Sequence, residues 1–204
     1  MSRSRLSHNS RLATFLKSAA FALLSLHCSV AQCQYEFHTW TNGHQYAVKA
    51  IEGEHSWDNA RAQALSFGGD LVSLSSEEEN RFVFSLIDDQ QFWVSQSDTW
   101  SFGPWIGLVQ IAGSPEPDQG WEWVTGEPAT YFNWNPLSGE PNDGGGGEDR
   151  AHYHARWGET ADTWNDLAKT DATQPSHYVV EVVPEPATAL CLAMGLFLLR
   201  KRRC

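Results

Sequence analysis

Residues 134–166 read WNPLSGEPNDGGGGEDRAHYHARWGETADTWND. Five of its oxygen-bearing side chains belong to the segments Glu-Pro-Asn, a later Glu and Trp-Asn-Asp, namely Glu140, Asn142, Glu148, Asn165 and Asp166. Three carboxylates and two amide carbonyls make an all-oxygen donor set, and Ca²⁺ is a hard cation that takes six to eight oxygen ligands. The stretch therefore predicts a calcium site built from a long loop and the segment after it.

The two ends of this stretch place separate demands on the backbone. Pro141 separates Glu140 from Asn142, and a cis peptide bond at the proline would let both flanking side chains turn toward one point. Asn165 and Asp166 are adjacent. If Thr163 and Trp164 end a short strand, the next two side chains diverge to opposite faces unless the backbone bends there.

The same residues resemble a known family. Glu140-Pro141-Asn142, the later Glu148 and Trp164-Asn165-Asp166 are similar to the motifs of a C-type lectin domain, and Trp105-Ile106-Gly107-Leu108 resembles that family's core strand. The resemblance implies an α+β fold of the C-type lectin type over residues 36–182, with two helices, small antiparallel sheets and a long calcium-binding loop. It also implies that all five side chains bind Ca²⁺.

The resemblance further implies a ligand for the site. Glu140, Asn142, Glu148 and Asn165 would hydrogen-bond two neighbouring hydroxyls of a sugar bound to the same ion. Glu-Pro-Asn is the family's version for mannose-type sugars, whereas the galactose version reads Gln-Pro-Asp and is absent here. Asp143 matches the position of an auxiliary calcium ligand in some members, together with Asp118 and Glu148. The alternative for these acids is a solvated acidic loop.

Both ends of the chain predict sorting signals. Residues 1–31 carry basic residues, then the apolar run 19–26, then Ser29-Val30-Ala31, which is typical of a secretory signal peptide. Residues 183–204 contain Pro184-Glu185-Pro186, an apolar segment and a basic end. This tail resembles the PEP-CTERM signal of Gram-negative bacteria, which implies processing by an exosortase, transient membrane anchoring and an exopolysaccharide-producing host.

The distribution of charged residues limits the classes of partner that the domain can bind. Eight of the 14 Lys and Arg residues lie in the two terminal segments, which hold only one of the 25 acidic residues. The remainder is strongly acidic, so it should repel nucleic acid and attract cations.

The four cysteines also lie in or beside the terminal segments, at Cys28, Cys33, Cys191 and Cys204. The domain therefore has essentially no disulfide. The resemblance places the family's half-cystines at Ala64 and Val180, and at Arg150 and Lys169, so both partners are missing from each pair.

Local patterns predict the elements. Gln45 to Lys49 alternates as a strand, Ser56 caps a helix that Gly68-Gly69 ends, and Ser76 with Glu79 predicts a capping box before a second helix. Further strands are predicted at residues 105–108, 121–124 and 177–182. Ten tryptophans must fill much of the core, with Trp105 and Trp134 facing inward.

The expected function is calcium-dependent carbohydrate binding by an exported protein of the cell surface or matrix, with no enzymatic activity. The first alternative is a structural or adhesive module whose partner is a protein, in which calcium only rigidifies the loop. A second is a zinc hydrolase that uses His152 and His154. Since no third ligand stands at a clear spacing, these two histidines are interpreted as surface residues.

Overall fold

A computed structural model describes residues 36–96, 99–169 and 173–184. The predicted signal segment 1–31 and nearly all of the tail 183–204 lie outside these residues. Within the described part of the chain, no helix is both long and apolar enough to cross a bilayer.

The described residues form two α-helices, one 3-10 turn and nine strands. The helices are α1 (Trp57–Ser66) and α2 (Glu77–Ile87), and the 3-10 turn spans Gln90–Phe92. The strands, in chain order, are β1 (His38–Thr39), β2 (Gln45–Ala50), β3 (Asp70–Leu71), β4 (Val94–Gln96), β5 (Trp100–Gln110), β6 (Trp121–Trp123), β7 (Arg150–Arg156), β8 (Trp164–Leu167) and β9 (His177–Val182). The α+β class and the two helices are confirmed.

Capping residues begin both helices. Ser56 Oγ accepts from the Asn59 amide at 3.3 Å, as predicted. At α2, Ser76 Oγ accepts from the Glu79 amide at 3.2 Å, but the reciprocal half of the predicted capping box is wrong. The Glu79 carboxylate bonds instead to the amide and hydroxyl of Ser75, which offers two donors where the Ser76 amide would offer one.

The strands join into one sheet in the described part of the chain, in the order β1-β2-β9-β5-β7-β8, with β3 on β9 and both β4 and β6 on β5. The expectation of several small antiparallel sheets therefore needs correction in two respects. The 11-residue β5 is long enough to pair with four other strands and so links them. Its pairing with β9 is parallel, at Trp105 and Tyr178.

Aromatic side chains fill the core, as predicted. Trp105 and Trp164 are fully buried, and Trp134 packs against the cluster that contains Trp164. A second cluster joins α1 to the sheet and includes Ala64 and Val180, both at 0% exposure. Apolar packing thus occupies the place where the resemblance implied a disulfide.

Candidate functional site

The long loop, residues 135–149, leaves and re-enters the sheet beside β8. The Asn135 amide donates to the Trp164 carbonyl at 2.8 Å, and the Trp164 amide donates to the Asn133 carbonyl at 2.8 Å. The Asn135 carbonyl then accepts from the amides of Gly139 and Glu140, both at 3.1 Å. These bonds hold Glu140 close to the start of β8, where Asn165 and Asp166 follow.

Asp166 binds the tip of the Glu-Pro-Asn segment through the backbone. Its carboxylate accepts from the Asn142 amide at 3.0 and 3.1 Å and from the Asp143 amide at 2.8 Å. The Glu140–Pro141 bond is cis, and Asn142 Nδ2 donates to Glu140 Oε2. Asp166 is only 1% exposed. The two motifs are therefore brought together by direct bonds between loop and strand.

Asp143 and the glycine run shape the next turn. Asp143 Oδ1 accepts from the amides of Gly147 at 2.6 Å and Glu148 at 3.1 Å. Gly145, Gly146 and Gly147 all have φ between 84° and 89°, a region that side chains disfavour, which explains a run of glycines here. The turn brings Glu148 back toward Asn142.

Glu148 lies with its carboxylate inside this turn. It is 8% exposed, and its Oε2 accepts from the Gly144 amide at 2.5 Å. A Cβ atom placed on Gly144 would lie 2.7 Å from Asn142 Oδ1 and 3.1 Å from Glu148 Oε2. Two predicted ligand oxygens thus border one small space, which a side chain at position 144 would fill.

The electrostatics of this cluster favour a cation. Burial, then the negative charges of Asp166 and Glu148, raises the pKa of Glu140 to about 8. Burial also raises the pKa of Asp166, although the amides of Asp143 and Asn142 oppose the shift. None of the ion pairs within the described ranges involves Glu140 or Asp166. The repulsion among these carboxylates is what a divalent cation would relieve.

The donor set fits Ca²⁺ because every ligand atom that these residues offer is oxygen and three of them are carboxylates. Glu140, Asn142, Glu148 and Asp166 are the members that the structure connects. Asp118 lies exposed in the loop between β5 and β6, and Asp143 Oδ1 is engaged by two backbone amides.

Asn165 is placed differently from the sequence interpretation. Trp164 begins β8, and Asn165 and Asp166 lie inside the strand, so the strand does not end at Trp164. Asn165 Nδ2 donates to the Asp166 carbonyl and lies 3.2 Å from His152 Nε2. With its amino group engaged, Asn165 retains its carbonyl Oδ1 for a ligand.

His152 is a residue of this site that sequence reasoning missed. It is directly opposite Asn165 in the β7–β8 ladder, fully buried, and burial lowers its pKa well below the ordinary value. A neutral ring that accepts at Nε2 carries its proton on Nδ1, so it orients the Asn165 amide. Pairing residues 150–153 against 164–167 would have revealed this contact.

The interpretation of His152 and His154 as surface residues is wrong. His154 is 2% exposed, and burial, then Arg156, lowers its pKa to about 4. The His152 ring stacks on Phe102 at 5.2 Å and the His154 ring on Trp100 at 5.3 Å. Both therefore belong to the aromatic packing of β5 against β7.

Comparison with known proteins agrees with this architecture. The family model of the lectin C-type domain matches residues 53–179. The chain therefore belongs to the C-type lectin domain family. The relatives found are lectins and receptors and not enzymes, in agreement with the expectation of no enzymatic activity.

Individual relatives are similar over part of their length. The mouse low affinity immunoglobulin epsilon Fc receptor is 28% identical over 156 residues, which is 72% of this chain and 42% of the receptor. The chain thus spans less than half of that relative.

Two solved structures share the fold. One is the cow C-type carbohydrate-recognition domain of CD23, in the presence of a GlcNAc2Man3 oligosaccharide, with a TM-score of 0.53 and 24% identity over 76% of this chain and 98% of that chain. The other is a calcium-independent type II antifreeze protein, with a TM-score of 0.50 and 21% identity over 74% and 93% of the two chains. At these identities the likeness concerns the fold, which confirms the expected fold class.

Proposed function

We propose that this protein binds mannose-type sugars in a calcium-dependent manner. The observation that carries the proposal is the convergence of Glu140, Asn142, Glu148 and Asp166, joined by bonds between the long loop and β8. Asn165, held by His152, is the fifth ligand. Bound calcium would supply a positive centre to which two sugar hydroxyls could attach. The oligosaccharide named with the cow domain is of the same chemical class.

The chain's own residues then select the sugar. The Glu140 carboxylate accepts a hydrogen bond from one hydroxyl, whereas the Asn142 amide can donate to another. Asn165 can only accept, through Oδ1, because its amino group is engaged by the Asp166 carbonyl and His152. An acid at position 140 and an amide at position 142 therefore set the direction of the hydrogen bonds. The double substitution Glu140→Gln/Asn142→Asp exchanges the two groups, so it would reverse that direction and suit the galactose pattern.

The test is calorimetric titration of the full chain with Ca²⁺, followed by mannose. Glu140→Gln and Asn165→Ala should abolish calcium and mannose binding together, while the Glu140→Gln/Asn142→Asp variant should bind calcium and prefer galactose. Glu122→Gln, an exposed acid on β6, is the matched control. Calcium heat without any sugar response would favour the adhesive alternative, in which calcium only orders the loop. No calcium binding would overturn the proposal.

We further propose that the protein is exported and acts at the cell surface or in an extracellular matrix, with a glycan or exopolysaccharide as its partner. The signal-like residues 1–31 and the tail 183–204 support this, with the tail as the substrate of an exosortase-type enzyme. Mass spectrometry of the protein from a host that has such an enzyme should find an amino terminus near Gln32 and loss of the tail. An intact chain would contradict the proposal.

A further inference from the structure

A second polar cluster lies away from the long loop, where β9 meets the turn before β2 and the segment after β6. Among the residues that the structure describes, one group of three His, Cys, Asp or Glu side chains has ligand atoms that all lie within 4.8 Å of one another. It consists of His44, Glu127 and Glu181. Glu181 is on β9, and Asp166 is on β8. Since β5 and β7 lie between them, these two strands are about 14 Å apart across the sheet, so the two sites are separate.

The sheet and two turns hold the three side chains. Glu181 is opposite Tyr46 of β2 and Asp70 of β3, and its Oε2 accepts from the Ser73 amide at 2.9 Å. His44 follows a turn in which its amide donates to Asn42 Oδ1 at 2.9 Å, and its Nδ1 lies 2.5 Å from Glu181 Oε1. Glu181 is therefore fixed by β9 and the Ser73 amide, and His44 reaches it from the turn before β2.

Glu127 reaches the cluster from the segment after β6. Its amide donates to Thr125 Oγ1 at 3.4 Å, and that hydroxyl lies 2.6 Å from Ser73 Oγ. The segment after β6 is thus tied to Ser73, which also binds Glu181. Three separate parts of the chain converge on one point.

Glu79 adds charge without acting as a ligand. Its Oε1 accepts from Tyr46 Oη at 2.5 Å and Asn42 Nδ2 at 3.1 Å, and its Oε2 accepts from the amide and hydroxyl of Ser75 at 2.8 and 2.7 Å. Four hydrogen bonds occupy both oxygens. Glu79 is therefore held in place beside Glu127 and Glu181.

Burial and neighbouring carboxylates both raise the pKa values of Glu127 and Glu181. Burial, then Glu79, raises the pKa of Glu127, while His44 opposes the shift. Burial also raises the pKa of Glu181, with Glu127 and Glu79 contributing. Within the described ranges, His44 Nδ1 is the ion-pair partner of Glu181, at 2.5 Å. The geometry places the carboxyl groups of Glu79, Glu127 and Glu181 around one imidazole, and the ligand atoms of Glu127, Glu181 and His44 lie within 4.8 Å of one another.

We propose that His44, Glu127 and Glu181 bind zinc. One imidazole nitrogen with two carboxylate oxygens is a ligand set that Zn²⁺ accepts, whereas Ca²⁺ and Mg²⁺ prefer oxygen alone. Three protein ligands leave a fourth position of the tetrahedron for water or a ligand from a partner. Ligand atoms around zinc lie about 3.4 Å apart, so the segments that carry His44 and Glu127 must shift by about 1 Å.

The test is calorimetric titration of the full chain with Zn²⁺ in buffer that already contains saturating Ca²⁺. We expect one zinc ion per chain at this site, with affinity at least tenfold weaker in His44→Gln and in Glu127→Gln. His55→Gln and Glu122→Gln, both at exposed positions, are the matched controls. Circular dichroism of each variant checks folding. Glu181 is left unchanged because its carboxylate also binds the backbone of Ser73.

Three results would overturn the proposal: no zinc heat, zinc affinity unchanged in both site variants, or an equal loss in His55→Gln. Displacement of zinc by further calcium would also overturn it, because it would identify an oxygen-selective site. Mannose binding in His44→Gln should equal that of the unmodified chain. That readout separates this site from the proposed sugar site.

Discussion

Asn80 is the residue that ties the second helix to the strands beside the long loop. Its Oδ1 accepts from Tyr153 Oη at 2.9 Å and Trp164 Nε1 at 3.0 Å, and its Nδ2 donates to the Asp162 carbonyl at 2.9 Å. The residue is fully buried. One side chain thus satisfies two buried donors and one backbone acceptor.

Replacing Asn80 with alanine should destabilise the domain by about 2–4 kcal/mol, since the hydroxyl of Tyr153 and the indole N–H of Trp164 would lose their acceptor. Urea unfolding monitored by tryptophan fluorescence measures the change. Arg81→Ala, at an exposed position on the same helix, is the control and should shift stability by less than about 0.5 kcal/mol. Equal effects of the two variants would contradict this role.

The raised pKa of Glu140 predicts a pH dependence of calcium binding. Its pKa of about 8 means that the calcium-free loop binds a proton there at neutral pH, and calcium must displace it. Calcium affinity should therefore rise by up to about tenfold per pH unit until pH 8 and then level off. Titrations between pH 6 and 9 measure this, and an affinity independent of pH would contradict it.

The raised pKa of Glu140 has the opposite effect on the stability of the calcium-free protein. Because the folded-state pKa of about 8 exceeds the ordinary value of 4.5, the folded protein binds the extra proton between these limits. Its stability should fall as pH rises from 4.5 through 8. Glu140→Gln should remove this contribution, as measured by thermal unfolding in chelator.

The packing of β5 against the segments after β3 and β6 depends on close backbone contact at Gly107. The Gly107 amide donates to the Val72 carbonyl at 2.9 Å, and the Gly107 carbonyl accepts from the Val124 amide at 2.9 Å. A Cβ atom there would lie 2.6 Å from the Leu71 carbonyl oxygen and 2.9 Å from Val124 Cγ2. The segment after β3 can approach β5 only because position 107 has no side chain.

Gly107→Ala should therefore cost about 2–4 kcal/mol of unfolding free energy, because two backbone segments must separate. Gly113→Ala is the control. Its φ of 85° strains alanine, but nothing lies within 4 Å of the added atom, so about 1 kcal/mol is expected. Chemical denaturation of the two variants distinguishes crowding from backbone strain, and equal costs would show that crowding is minor.

Two cations take positions at which the resemblance implied a disulfide. Arg150 lies over the Trp57 ring at 4.6 Å, and Lys169 Nζ lies 3.4 Å from Asp58. Both contacts reach the first turn of α1 rather than each other. Charge and stacking thus connect β7 and the segment after β8 to that helix.

For the whole molecule, a formal net charge of −11 and clustered acids make folding sensitive to cations. Calcium at about 100 times its Kd should stabilise the folded state by about 2.7 kcal/mol, because it binds the folded loop and not the unfolded chain. Differential scanning calorimetry with and without calcium measures this. Glu140→Gln should abolish the gain, and an equal gain in that variant would indicate general screening instead.

Local sequence patterns determined the positions of both helices and of the long loop. Serine caps marked both helices, alternation marked β2, and the order of oxygen-bearing side chains marked the loop. Such features depend on residues close together in the chain, where a few dihedral angles decide which side chains meet. These patterns therefore yielded the two helices and the candidate ligands, whereas the α+β class came from the resemblance to the C-type lectin family.

Only the tertiary structure decided which distant groups meet. The pairing of β7 with β8 buried His152 against Asn165, and the return of β9 between β2 and β5 brought Glu181 to His44, which is 137 residues earlier. Such contacts depend on strand register and sheet order, and a shift of one residue would turn every side chain of a strand to the other face. No pattern within a single segment of the sequence predicts the strand register or the sheet order.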